Sequence, residues 1–256
     1  MKYYDQHLHT YFSYDADETF ESYLENFDGF VVTTEHFDLA NPVTHQDDAP
    51  DYQAYQKKIS ELNQQYQNRI LKGIEIGYIA SEKERIKDYL KDKNYDLKLL
   101  SIHHNGQFDY LDDFVADMDY RVILDEYLKA MNEAIDEIPA NVLAHFDYGI
   151  RLFDLTVEQL QEFEPQLIQI FKNAIKHQLA FEVNAKSTHL YHNLALYDYA
   201  LDLYLSLGGK LITLGSDGHK IEHFRLHFDE LLALIKSKGI NELATYQNGQ
   251  LQLVKI

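Results

Sequence analysis

Within the first ten residues the stretch YYDQHLHT sets His7 and His9 on either side of one leucine. Side chains two apart on a β-strand share a face, so both imidazoles can converge on one point, as a metal chelate requires. The same spacing also fits two polar residues on the wet face of a half-buried strand, and the rest of the chain must decide. Short apolar or β-branched runs recur as KYYDQHLHT, GFVVTTEH, ILKGIEIGY, LKLLSIHH, NVLAHFDY, LAFEVNAKS and KLITLGSDGH. The last four residues of each expected strand (7–10, 33–36, 73–76, 101–104, 143–146, 182–185 and 216–219) hold His7, His9, His36, His103, His104, His145 and His219, seven of the 13 histidines. Even placement would put about 1.4 there, so strand ends gather imidazole, as the mouth of a parallel barrel would. The two windows without histidine bring Glu75, and Glu182 with Asn184; the last brings Asp217 two residues before His219. Imidazole with carboxylate suits Zn²⁺, Mn²⁺ or Fe²⁺ and disfavours the all-oxygen shell of Ca²⁺. With at least eight donors, more than one tetrahedral ion can be served, and a cluster of two or three ions follows. His104 adjoins His103 and on a strand faces the other way, which points to a pocket role. His45, His177, His223 and His227 read as surface residues, and His189 and His192 lie just beyond the sixth strand.

Between these strands lie stretches of helical spacing at 51–68, 81–95, 120–138, 156–178, 193–207 and 223–238. Thr156 and Gln159 form a capping-box pattern ahead of Leu160, Phe163, Leu167, Phe171 and Ile175, and Pro165 is expected to kink that helix. Strand and helix alternating every thirty or forty residues indicate an α/β fold with a parallel sheet, and seven units indicate a barrel. No linker or low-complexity tract interrupts it, so residues 1–256 are expected to form a single domain. The segment 45–52, HQDDAPDY, reads as a solvated loop, and Asn248-Gly249 as the turn of a terminal hairpin.

A hydrophobic fraction of 45% is ample for a core, which excludes disorder. The 23 basic against 42 acidic side chains give a net charge of −19, which repels nucleic acid and anionic membranes. With no cysteine, any metal must be held by histidine and carboxylate. Neither a basic start followed by an apolar run nor eighteen consecutive apolar residues occur, so a soluble cytoplasmic protein is expected.

HLH at 7–9, TEH at 34–36, GIE at 73–75 and SDGH at 216–219, in that order and with His103 and His145 at strand ends, resemble the PHP (polymerase and histidinol phosphatase) metal-dependent phosphoesterases over essentially the whole chain. The runs TEH, GIEIGY, SIHH and AHFDYGIRLF are similar to the histidinol-phosphate phosphatase branch in particular. The resemblance implies a distorted TIM-like (β/α)7 barrel. It implies one ion on His7, His9, Glu75 and Asp217, a second on Glu75, His103 and His145, and a third on His36 and His219. Asp15 stands where many relatives carry a histidine, and its carboxylate can substitute as an oxygen ligand.

The expected reaction is hydrolysis of a small-molecule phosphate monoester, L-histidinol phosphate to L-histidinol and phosphate, with a metal-bridging hydroxide attacking phosphorus. Glu75, Asp217 and His219 are the expected catalytic set. Arg151 and Lys186 are candidates for phosphate, and Asn184, with Glu182 and the 45–52 loop, for the substrate's ammonium group. His104 and His189 complete the expected substrate contacts. The leaving-group proton could come from His104, His189, His219, Asp154 or a metal-bound water. A nuclease or phosphodiesterase of the same family is the rival enzyme, and a non-catalytic metal-binding protein the rival outside catalysis.

Overall fold

The computed structural model describes residues 3–256. Its elements alternate along the chain: α1 (Phe20–Asn26), β1 (Val31–Asn41), β2 (Gln46–Asp48), α2 (Tyr52–Gln65), β3 (Ile70–Gly77), α3 (Lys83–Leu90), β4 (Leu97–Ser101), α4 (Tyr120–Glu137), β5 (Val142–Leu143), α5 (Val157–Gln161), α6 (Glu164–Lys176), β6 (Ala180–Asn184), α7 (Ala185–His189), α8 (Leu194–Ser206), β7 (Ile212–Gly215), α9 (Phe228–Ser237), and the pair β8 (Glu242–Gln247) and β9 (Gln250–Lys255). Three of the helices begin where a side-chain oxygen accepts otherwise unpaired amide hydrogens: Thr19 for α1, Asp51 for α2 and Asp119 for α4. The Thr156–Gln159 capping box forms. The single kinked helix expected at 156–178 is instead two helices, because Pro165 lies in the first turn of α6, where its missing N–H costs nothing.

One sheet runs in the order β2-β1-β3-β4-β5-β6-β7, parallel from β1 to β7. The expected first strand, whose Lys2 lies outside the described residues, forms no continuous ladder. Asp5 Oδ1 accepts the amide hydrogens of His7 (3.1 Å) and Ser216 (2.9 Å), which a ladder would have paired. Residues 6–9 still close the ring, since Gln6 donates to Leu214 O, His9 to Gly218 O (2.8 Å), and Thr34 to Leu8 O (2.7 Å). They serve as the seventh stave, giving the α/β barrel. The 45–52 segment is not a simple solvated loop: β2 pairs antiparallel with β1, and Asp48 is buried.

Strand alternation divides the lumen into two ends. Val32 and His36 share a face, as do Leu71 and Glu75, Leu97, Leu99 and His103, and Ala180 and Glu182. At the amino ends of the strands these positions are apolar and pack with Tyr4, Val142, Ala144, Ala244 and Tyr246. The last two come from the β8–β9 hairpin, whose Asn248 and Gly249 both take positive φ. The hairpin seals that end, with the Tyr246 hydroxyl donating to Asn141 O (3.1 Å). At the carboxyl ends the same faces carry histidine and carboxylate. Among the described residues no helix is long and apolar enough to cross a membrane.

Candidate metal centre

Glu75 ends the inward face of β3, and its buried carboxylate is the hub of the site. Its Oε1 lies 2.7 Å from His145 Nε2 and 3.1 Å from His103 Nε2. Its Oε2 lies 3.2 Å from His7 Nε2, 3.4 Å from His9 Nε2 and 3.2 Å from His36 Nδ1. Five imidazole nitrogens thus crowd one carboxylate, more than its lone pairs can serve with good geometry. Outer carboxylates settle which nitrogens face inward. His7 Nδ1 donates to Glu182 Oε1 (2.7 Å) and His103 Nδ1 to Asp38 Oδ1 (2.8 Å), which leaves each Nε2 lone pair aimed at the hub. Two glycines make room for this outer layer: a Cβ on Gly77 would overlap the Asp38 carboxylate, and one on Gly215 would overlap that of Glu182.

Buried atoms without hydrogen-bond partners mark where cations fit. They include His7 Nε2, His9 Nε2, His36 Nδ1, His145 Nδ1, Asp38 Oδ2 and Glu75 Oε2. Lone pairs of nitrogen and oxygen facing each other across about 3 Å repel unless a proton or metal ion lies between them. The electrostatics agree. Burial works to lower the pKa values of His7, His36 and His103, yet neighbouring carboxylates outweigh it: Glu75, Glu182 and Asp217 for His7, Asp15 and Glu75 for His36, and Asp38 and Glu75 for His103, which is pushed up to about 10. Glu75 stays ionised despite burial because His7, His103 and His36 surround it. His9 and His145 are instead lowered, chiefly by burial. The donor set therefore fits divalent ions. His7–Glu75–His145, His7–His9–Asp217, His36–Asp38–His103 and His9–His36–His219 each bring three ligand atoms within 4.8 Å of one another.

The rim is more open. Asp15 Oδ2 lies 3.1 Å from His219 Nε2 and 3.5 Å from His36 Nε2, so the structure brings Asp15 to the two histidines expected at the third ion. Asp217, at φ +55° just past β7, has Oδ1 2.9 Å from Lys186 Nζ and Oδ2 3.1 Å from an Arg151 guanidinium nitrogen. Against the burial penalty, Lys186, His7 and Arg151 hold its pKa well below the usual carboxylate range, which suits a permanently anionic ligand better than a proton carrier. Lys186 Nζ also lies 3.1 Å from His219 Nδ1. Nδ1 also lies 3.1 Å from Asp217 O, so it is held between an ammonium and a carbonyl, while Nε2 faces Asp15 and His36.

Several expected substrate residues are placed otherwise. Arg151 is buried, donating to Ser187 Oγ (2.8 Å), Asn184 Oδ1 (3.3 Å) and Asp217, and so braces a ligand from behind. Asn184 spends its amide on Glu182 Oε2 (3.1 Å) and its carbonyl on Ser187 N (2.9 Å) as the cap of α7, and Glu182 is consumed by His7, the His145 amide and Asn184. Neither is free for a substrate ammonium. His104 accepts from the Gly106 amide through Nδ1 (3.1 Å) and lines a cavity of about 390 Å³ with Tyr78, Ile79 and Tyr110, turned from the hub as strand alternation dictates. His189 stacks on His227 at 4.0 Å beside Glu230, separate from the cluster, and Asp154 is exposed. Asp38 escaped the sequence reading although it lies two residues beyond His36, the very alternation that identified His7 and His9. Ser13, hydrogen-bonded to His9, left no such trace.

Comparison with known proteins gives a consistent result. Residues 5–186 match the family model of the PHP domain. The chain is 27% identical to a histidinol-phosphatase of Lactococcus lactis, over 96% of this chain and 95% of that protein. It is also 27% identical to a probable histidinol-phosphatase of Clostridium acetobutylicum, over 91% and 93%. Its fold superposes with a TM-score of 0.86, at 24% identity and over 97% and 98% of the two chains, on the crystal structure of the L. lactis histidinol phosphate phosphatase complexed with zinc, L-histidinol and phosphate.

Proposed function

Because the chain belongs to the PHP family, we propose that it is a metal-dependent phosphomonoesterase that hydrolyses L-histidinol phosphate to L-histidinol and inorganic phosphate. The observation that carries this reading is the Glu75 hub, five inward imidazole nitrogens around one buried carboxylate at a barrel mouth. The choice of histidinol phosphate among monoesters is supported by the near full-length relatives bearing that activity in their names. His7, His9, His36, Glu75, His103, His145, Asp217 and, at the rim, Asp15 and His219 would hold the ions, with Asp38 added to the set. When bound, two or three divalent ions supply a nucleophile from water near neutral pH and Lewis-acid stabilisation of charge on the phosphoryl oxygens.

The remaining work falls to the chain itself. Glu182 and Asp38 orient the imidazoles, and Arg151 with Asn184 fixes Asp217. The Lys186 side chain, 17% exposed at the rim, offers an ammonium to a phosphoryl oxygen. Of His104, His189, His219 and Asp154, only His219 lies in the cluster, where its Nε2 faces Asp15 and His36 and would hold an ion in place of a proton. Asp217 and His219 lie beyond the stretch matched by the family model yet complete the same site, which supports treating the whole chain as one catalytic unit. A cytoplasmic location fits a chain without cysteine whose described residues include no membrane-spanning helix.

The zinc- or manganese-loaded protein should release phosphate from histidinol phosphate at least about a hundred-fold faster than it cleaves a phosphodiester or single-stranded DNA. The reverse preference would transfer it to the diesterase reading, and no turnover of any ester would make it a metal-binding protein without catalysis.

A further inference from the structure

The outer layer that holds His7 and His103 consists of carboxylates in direct contact, but His9 has none. Its Nδ1 faces Ser13 Oγ at 3.1 Å. The same oxygen donates to Glu35 Oε2 (2.7 Å) and accepts the His36 amide hydrogen (3.1 Å). A serine hydroxyl has one hydrogen and two lone pairs. Its hydrogen goes to Glu35, which as a carboxylate can only accept, so the His9 contact must use a lone pair. His9 Nδ1 is then the donor, and Nε2, buried and without a partner, presents its lone pair to the hub. The hydroxyl is saturated and cannot rotate to offer its hydrogen to His9.

Glu35 also grips the chain on the other side of Ser13. Its Oε1 accepts from Thr10 Oγ1 (2.7 Å) and its Oε2 from the Thr10 amide (3.0 Å), while the Ser13 amide closes a turn onto Thr10 O (2.8 Å). All of these groups are buried. The residues between His9 and Asp15 are thereby pinned to β1, the strand that carries His36.

We infer that Ser13 and Glu35 are positioning residues: a carboxylate–hydroxyl–imidazole relay that fixes His9 as its Nδ1–H tautomer and, by anchoring the loop 10–15, holds Asp15 against His36 and His219. The relay rests on the metal-centre reading proposed above, and it assigns to one buried carboxylate both the inner ligand His9 and the rim ligand Asp15. Glu35 itself touches no ligand atom of the cluster. It sits on the opposite face of β1 from His36 and acts only through Ser13 and Thr10.

The test uses the zinc-loaded full chain. In wild type the His9 Nδ1–H proton should appear as an imidazole NMR resonance protected from solvent exchange, assigned by its loss in His9→Gln. Ser13→Ala should abolish that protection and speed zinc release to a chelator about 10- to 100-fold, the usual cost of losing such an outer partner. Glu35→Gln should behave close to wild type, because its amide oxygen can stay at the Oε2 position, where the Thr10 amide and Ser13 need an acceptor, and its NH₂ can donate to the Thr10 hydroxyl. Unchanged protection and zinc release in Ser13→Ala would overturn the relay. So would a folded Glu35→Gln as impaired as Ser13→Ala, since the carboxylate would then act by charge and not as an acceptor. A wild-type protein that binds no zinc would instead overturn the metal-centre reading, before the variants are compared.

Discussion

The two ends of the barrel lumen are built by the same strands under the same alternation, yet one is an apolar plug and the other an ionic cluster. At the sealed end Tyr4, Leu71, Leu97, Leu99, Val142 and Tyr246 pack together, and the tyrosine hydroxyls find backbone carbonyls. At the mouth, Glu75 and its imidazoles are as deeply buried but leave lone pairs without partners. A buried polar atom without a partner costs about 1–3 kcal/mol, so the mouth is maintained at the expense of stability that the plug supplies. Function and stability are separated by two to four residues along each strand.

The largest effect that would break this contrast is at the hub. Glu75→Gln keeps the shape of the side chain but removes the charge toward which five imidazole nitrogens converge. Metal content, read by elemental analysis, should fall, and phosphate release should drop about a thousand-fold or more, the scale on which losing a charge-stabilising group registers. The metal-free variant should still fold, because imidazoles that lose their carboxylate can shed protons in place of remaining charged. A variant that kept its metal and its activity would remove Glu75 from the centre of the site.

Next in size is the converse change at the plug. Tyr246→Ala should lower unfolding free energy by about 3–4 kcal/mol, the typical cost of deleting a buried aromatic ring, measured by denaturant titration. Activity per folded molecule should be unchanged, since the ring lies at the far end of the strands from Glu75. If this substitution cost activity without stability, the two ends would not be separable.

How legible this division was in the sequence follows from the same geometry. His7, His9, His36, Glu75, His103, His145 and Asp217 stood out because each falls at the end of an apolar run, and a period of two needs no tertiary information. Asp38 satisfies the same alternation but lies beyond the strand end expected at His36, whereas β1 runs on to Asn41. The roles of Arg151, Asn184 and Ser13 could not be read, because they depend on which loop folds back against which strand, and loop conformation has no sequence period. The 156–178 segment splits because Pro165 falls in the first turn of α6, where a residue that would kink a helix interior starts one. The first stave failed as a ladder for an equally local reason, the Asp5 side chain capturing amides that a strand would have paired.

The smallest effect, for a single imidazole over one pH unit, is in the response to pH, and it distinguishes the two ends without mutation. In the metal-free protein His103 holds its proton up to about pH 10, and His7 and His36 are also raised, against an ordinary histidine value near 6.5 in the unfolded chain. Between about pH 6.5 and 10 the folded state therefore binds more protons than the unfolded state, and stability must fall as pH rises, by about 1.4 kcal/mol per unit for each imidazole involved. The contribution is complete below pH 6.5 and lost by the time pH passes the folded value. The plug takes no part, because its tyrosines titrate only near or above pH 10; burial raises Tyr4 to about 12. With zinc bound, the ions occupy the positions of those protons, so the decline should vanish and zinc affinity should climb over the same interval. Denaturation midpoints at pH 7, 8 and 9, with and without zinc, would show it. A metal-free protein whose stability stays flat or rises across that range would mean that the mouth is held together without protons, and the lone pairs facing Glu75 would then need another explanation than a site built for cations.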